Sequence, residues 1–420
     1  MQCRFVFGAL AAFAFLASAA APVAAAPPPG GVYSILDAAT LLAPPKGVKN
    51  PLPNQGPIST QALMVHGTDG LLIHLRWDEI STGVETYNWT SLRDAVQLAT
   101  NQGKRFEIGI VIGGAEPTWL TAPKTSGGLG ARYGNFEVNA SSAGTCPTFK
   151  MAAPYDPVFL AAFDDLLHKL SADLRKNRTY DKLSLIKLSG LTTTTDELRL
   201  PAVDACKSSG ASKTIQAWQK LGYTPAKVEA AWKTMLSSYL KYFPDKSFSI
   251  GFIGVNAFPG INAQGNPVAP QLTKIVSARL VAMLIKDAGV AMPSHLAIGF
   301  DSLSLDVPAS VASYYSTRSQ MFRDVASAGA RPGWQTNELE GEYPGGGAAC
   351  GGTTKADAVV CTTSAQFRKM LFQGIYPQGK ANTPPANQGV YMELFPQNIV
   401  AFPDAVRDAH DNLSIWNGGR

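Results

Sequence analysis

Residues 70–120 read GLLIHLRWDEISTGVETYNWTSLRDAVQLATNQGKRFEIGIVIGGAEPTWL, and the alternation inside this stretch sets the architecture of the chain. An apolar run over 70–75 and another over 106–112 flank a segment, 92–102, whose apolar residues Leu92, Ala95 and Ala99 recur at helical spacing. Strands that are apolar without a polar alternate are covered on both faces, and a helix between two of them is the crossover that parallel strands need. The rhythm continues in both directions. Strands are expected at 31–36, 70–75, 106–112, 183–188, 247–255, 296–300, 333–336 and 389–394. Helices are expected at 92–102, 158–175, 226–242, 272–287, 313–328, 364–373 and 403–416, and only the first connection lacks a clear one. Eight such units favour closure into a (β/α)8 TIM barrel over an open doubly wound sheet. No GxGxxG or GxxxxGK[ST] follows the first strand, so the nucleotide-binding open sheets lose their main support.

The 420 residues are 45% hydrophobic and 16% charged, enough apolar material for a large core. The first residues have one basic side chain (Arg4), an apolar run over 5–16 and then small residues, which matches a secretory signal cut between about 18 and 26. The expected organisation is therefore a leader, 1–26, and one catalytic barrel with long loops, 27–420, acting in a secreted or periplasmic setting and free of the membrane after cleavage. Loss of the leader removes Cys3 and leaves Cys146, Cys206, Cys350 and Cys361. An even count in an exported chain reads as two disulfides: Cys350 with Cys361 across a local Gly-rich loop, and Cys146 with Cys206 between distant loops. With no CxxC pair and no HExxH or His cluster, no metal and no cofactor are expected. A net charge of +5 without Lys/Arg runs argues against nucleic acid as a partner.

The long non-helical segments 117–156, 198–212, 255–270 and 337–361 all follow strands, which in a barrel gathers them at the C-terminal mouth, where catalytic groups sit. Carboxylates end several strands there: Asp196 and Glu197 after the fourth, Glu338, Glu340 and Glu342 after the seventh, Glu393 on the eighth. The second strand contributes His74, Arg76, Trp77, Asp78 and Glu79. Two carboxyls on opposite sides of a sugar are what glycoside hydrolysis requires.

The quoted stretch resembles the second and third units of clan A glycoside hydrolases, of the family 42 and family 5 type, through Arg76, Trp77, Ile80, Gly83, Tyr87, Trp89, Leu92, Ala95, Ala99, Gly103, Pro117, Trp119 and Leu120. The local match covers about fifty residues, and the strand rhythm extends it more weakly along the chain. The resemblance implies a retaining glycosidase acting on a carbohydrate, with Glu197 as acid/base, Glu338 as nucleophile and Arg76 pairing with that nucleophile. Glu340 shares the parity of Glu338 and is the alternative nucleophile. The clan usually places Asn before its acid/base Glu, where this chain has Asp196; an anion there tends to keep Glu197 protonated but donates no amide hydrogen bond. A strand-eight Trp is also replaced, by Glu393 and Phe395. A non-catalytic carbohydrate-binding barrel and a transglycosylase with the same site are the rival readings.

Supporting roles are expected for Trp77, Trp119 and Trp334 as sugar-stacking rings, and for Asn256, Asp301, Glu340 and Glu393 as hydroxyl partners. Each has a plainer alternative. Buried Trp rings belong to the core, Arg76 can simply neutralise Glu79 or Glu107, Glu197 can pair with Arg199, and Glu393 can pair with Arg76.

Overall fold

The computed structural model describes residues 30–42, 54–137, 146–193, 195–206, 212–252, 257–292, 295–303, 331–336, 349–351, 359–361, 363–376 and 388–416. Eight parallel strands close a barrel in sequence order: β1 (Gly31–Asp37), β2 (Gly70–Arg76), β3 (Arg105–Val111), β4 (Leu183–Lys187), β5 (Ser247–Phe252), β6 (Leu296–Leu303), β7 (Arg331–Thr336) and β8 (Tyr391–Leu394). Closure is made by β1 against β8, with Tyr33 level with Glu393. Each expected strand lies within a few residues of an observed one. β6 runs on to Leu303, with a shift in its pairing to β7 after Phe300, so Asp301 lies on the strand and not beyond it.

The helices between strands begin where short polar residues and prolines place them. Asp156 caps Pro157–Lys176 by accepting from the Val158 amide at 2.9 Å, and Thr224 precedes Pro225–Tyr242 in the same way. Both put Pro in the first turn, where its missing N–H costs nothing. Thr363 and Gln366 form a capping box for Ser364–Ile375. Besides the short turns Trp77–Ile80, Thr118–Thr121 and Pro396–Ala401, two longer helices among the described residues go beyond the sequence expectation. Gly56–Met64 occupies the first connection, burying Ser59, Ala62 and Leu63; with few polar residues opposite those apolar ones, its pattern is too flat to be read as amphipathic. Lys213–Lys220 follows the loop after β4. The long 117–156 segment contains an antiparallel hairpin, Tyr133–Glu137 with Thr148–Ala152. The expected helix 313–328 lies outside the described residues, as does the leader.

Cys146 and Cys206 are bonded, tying this hairpin to the loop after β4 across 60 residues. Cys361 is also disulfide-bonded and adjoins a ribbon of Ala349–Gly351 with Val359–Val360; the side chain of Cys350 lies outside the described residues. Among the described residues no helix is long and apolar enough to cross a membrane.

The two sides of the barrel wall differ in chemistry. Leu71, Ile73, Leu75, Phe106, Ile108, Ile110, Ile186, Phe248, Ile250, Ile298 and Met392 join the large core packed against the helices. The alternate residues face inward and form only small apolar clusters, Tyr33 with Ile35 and Leu72, and Ala297 with Val390 and Tyr391. Among the described residues the rest of the lumen is, apart from Leu185 and Val111, lined by polar side chains and glycine, a departure from the layers of bulky apolar side chains usual in such barrels. Gly333 and Gly299 make room for the Tyr391 ring: a methyl added at Gly333 would sit 1.9 Å from a ring carbon. Gly333→Ala is therefore expected to destabilise the fold by about 1–3 kcal/mol, read as a lower urea midpoint. Gly83→Ala, whose methyl would meet nothing closer than 3.9 Å, should leave the midpoint unchanged.

Candidate active site

Strand β4, LSLIK, turns Ile186 outward to the helices and Lys187 inward. The chain then leaves the barrel wall and comes back. Leu188 still donates to the Ser249 carbonyl at 2.7 Å, the Ser189 amide donates to the Tyr239 hydroxyl at 2.9 Å, and Thr193 accepts from the Gly114 amide at 2.6 Å. At Glu197 the backbone pairs again with β5, as a parallel bridge to Gly251, and Leu198 donates to the Gly251 carbonyl at 3.0 Å. Since Lys187 pairs with Ser249, two residues before Gly251, Glu197 takes the next inward level of an interrupted strand. The excursion between them delivers Asp196 and Glu197 to the C-terminal end of the barrel.

Glycines on neighbouring strands admit this pair. A methyl at Gly109 of β3 would lie 2.4 Å from Asp196 Oδ2 and 3.1 Å from His74 Cδ2, and one at Gly251 would lie 3.0 Å from Glu197 Cγ. Glycine inside a strand marks such a close approach.

Lys187 is the charge around which the lumen is arranged. Its Nζ lies 3.0 Å from Asp196 Oδ2 and donates to Glu393 Oε2 at 2.9 Å and to Gln335 Oε1 at 3.5 Å. All three charged side chains are at most 2% exposed. His74 Nε2 stands 3.2 Å from the same Asp196 oxygen. Burial by itself would push the Lys187 ammonium down, but the carboxylates of Asp196, Glu393 and Glu197 outweigh it and hold it well above the ordinary lysine range. Burial would likewise raise Asp196; Lys187 and His74 overcome it and keep Asp196 far below the usual carboxylate range. Glu197 goes the other way, raised first by burial and then by the Asp196 charge beside it. His74 is raised because the pull of Asp196 exceeds the effect of burial. Burial raises Glu393 as well, against the opposing pull of Lys187. Two adjacent carboxyls are thus driven in opposite directions, Asp196 towards the anion and Glu197 towards the neutral form.

Beneath them Glu107 of β3 is completely buried, and neither of its oxygens has a hydrogen-bond partner among the described residues. Burial and the nearby Glu393 raise it well above its ordinary value.

The expected residues separate into groups. Asp196, Glu197 and Glu393 converge, joined by His74. Glu393 pairs with Lys187 and not with Arg76, and no Glu197–Arg199 ion pair occurs among the described residues. Arg76 is held at the mouth by Asp78 at 2.9 Å and Glu79 at 3.1 Å; burial and Asp37 lift Glu79 to about 7. Trp77 is fully buried, edge-on to Trp119, Phe159 and Phe163, and Trp334 is buried in the outer core. These two rings are packing residues and offer no sugar platform. Trp119 is partly exposed on the flank, its Nε1 donating to Ser81 Oγ at 2.9 Å, where it lines a cleft of about 350 Å³ with Tyr87 and Asp165. Glu338, Glu340 and Asn256 lie outside the described residues, as does the side chain of Asp301. Sequence reasoning passed over Lys187 and treated Glu107 only as a possible partner of Arg76. The signal for both was a lone charge inside an apolar strand, which folding tolerates only when it is paired or neutral.

No family model matches the chain, and no curated protein matches it. Similar solved structures include CbXyn10B in native form, at 8% identity over 87% of this chain and 84% of that one, TM-score 0.44. A GH10 endoxylanase retrieved from sugarcane soil metagenome aligns at 12% identity over 87% and 86%, TM-score 0.47. An exo-β-1,4-mannosidase from Opitutaceae bacterium strain TAV5 aligns at 12% over 92% and 60%, TM-score 0.45. The barrel described above rests on this chain's own strand ladder.

An acid whose folded pKa lies above its unfolded value makes the folded state bind more protons, so stability falls as pH rises from about 4.5 towards the folded value. Glu107→Gln removes this loss while keeping the shape. The variant is expected to melt above the parent at pH 8 and to converge on it near pH 4 in calorimetry. A variant less stable than the parent at pH 8 would show that Glu107 is needed as an anion.

Proposed function

We propose that this chain is an exported, retaining glycoside hydrolase in which Glu197 is the acid/base. The observation that carries this reading is the opposed pair at the barrel mouth: Asp196 in contact with Lys187 and His74, which favour its anion, and Glu197 next to it, driven towards the neutral form by burial and by the Asp196 charge. Neighbouring carboxyls driven apart in this way are a means of having an acid available at neutral pH. The bonded pair Cys146–Cys206 supports passage through an oxidising compartment, secreted or periplasmic, with loss of the leader. On this reading the chain from 27 onward is one catalytic barrel.

In the proposed reaction Glu197 gives its proton to the glycosidic oxygen as that bond breaks, while the Glu338 carboxylate attacks the anomeric carbon to form a glycosyl ester. Glu197, now ionised, takes a proton from water, whose oxygen displaces Glu338 and regenerates both groups. Retention sets the two carboxyls about 5–5.5 Å apart. Asp196 accepts from a sugar hydroxyl, where an amide would also donate. The substrate is an oligo- or polysaccharide, and none of these steps calls on a cofactor.

The absence of an amide at 196 and of a Trp at the end of the eighth strand favours one rival, a barrel that binds carbohydrate without turnover. Release of reducing ends from a broad glycan panel separates the two, since a binding module releases none. Glu197→Gln should lower turnover of natural glycosides by about 10²–10⁴-fold and largely spare aryl glycosides with good leaving groups. Glu338→Gln should abolish both activities. Equal losses on both substrates in Glu197→Gln would remove Glu197 from the acid/base role.

A further inference from the structure

We infer that Lys187 is a positioning residue for the acid: it ties the segment carrying Asp196 and Glu197 to strand β8 and holds the Asp196 charge against the Glu197 carboxyl. The inference rests on the proposed role of Glu197. Its structural basis lies in how the segment is anchored. After the excursion from β4, Asp196 has ion pairs to two strands, to His74 of β2 at 3.2 Å and to Lys187 of β4 at 3.0 Å. Among the described residues it is Lys187 that extends the connection across the lumen, to Glu393 at 2.9 Å and Gln335 at 3.5 Å.

The charges in the lumen point the same way. Among the described residues, four carboxyls of the lumen, Glu107, Asp196, Glu197 and Glu393, lie around one buried ammonium, Lys187, and one imidazole, His74. Among the described residues the other titratable groups around this cluster are the phenols Tyr33 and Tyr391 and, at the strand starts, Asp69, whose charge also raises Glu107, and Arg105 near Tyr33; β5 contributes Ser249 and Gly251 at this level. A single ammonium in contact with Asp196 and Glu393 leaves Glu197 and Glu107 without a counterion in contact; burial raises both of these and Glu393 as well, and Asp196, which also meets His74, is the carboxyl of the four driven down. Lys187 has no role as a nucleophile, because an amine kept protonated between two carboxylates has no free electron pair.

Two substitutions then act with opposite sign on the same group. Asp196→Asn removes the anion beside Glu197, so Glu197 should titrate at lower pH, by one unit or more. Lys187→Met removes the cation that screens Asp196, so Glu197 should titrate at higher pH. Lys187→Arg, which keeps the charge, should restore the parental titration at least in part. The readout is carbon-13 NMR of the full-length protein labelled at glutamate carboxyls, with the Glu197 signal identified by its loss in Glu197→Gln, and circular dichroism confirming the fold of each variant. Should Lys187→Met not fold, Lys187→Gln and Asp196→Asn carry the same test. An unmoved Glu197 titration in the folded variants overturns the inference, as does movement in one direction for both. The titration needs no substrate. Opposed shifts without glycan turnover would therefore reject the glycosidase reading alone, and turnover with an unmoved titration would reject the role of Lys187 alone.

Discussion

A charged amine in the middle of a closed parallel sheet is the constraint on which the remainder of the lumen depends. Lys187 cannot reach water, so carboxylates have to come to it. One arrives from β8, Glu393, by the ordinary inward alternation of a strand. The other, Asp196, arrives because the chain leaves the wall after Lys187 and rejoins it one inward level higher at Glu197. Removing either partner would strand a buried charge, which is far more damaging than never having had the pair.

The geometry that satisfies Lys187 also creates an imbalance useful for chemistry. With more carboxyls than cations in a low-dielectric interior the acids are driven apart: Asp196, in contact with both Lys187 and His74, goes down, while Glu393, in contact with Lys187, goes up with Glu107 and Glu197. Asp196 is driven towards the anion; Glu197, next in sequence and without those contacts, is driven towards the neutral form. Glycines at 109, 251, 299 and 333 are the steric counterpart of this arrangement, each leaving the space that a neighbouring side chain fills.

Much of this was legible in advance. Unbroken apolar runs separated by amphipathic segments located all eight strands, because a strand covered on both faces has little choice of residues. The cysteine parity anticipated the Cys146–Cys206 bond, and the neighbour effect of Asp196 on Glu197 followed from their adjacency. What escaped was less periodic. Gly56–Met64 has too little contrast between its faces to announce a helix. The interruption of β4 depends on contacts with Gly114, Tyr239 and Gly251 that are distant in sequence. Trp77, in the turn just after β2, and Trp334, on β7, are buried by packing against Phe159, Phe163 and the outer core, contacts that are distant in sequence. Lys187 was visible as an oddity, one lysine in LSLIKL, but its partners come from residues 196 and 393.

The central claim is that adjacent acids at the barrel mouth hold different protonation states because of one buried ammonium. Neutron diffraction from deuterium-exchanged crystals near pH 7 tests it most directly. The account requires a deuteron on the Glu197 carboxyl, none on Asp196, and three on Lys187 Nζ with two directed at Asp196 and Glu393. A bare Glu197 beside a deuterated Asp196, or a neutral Lys187, would contradict it.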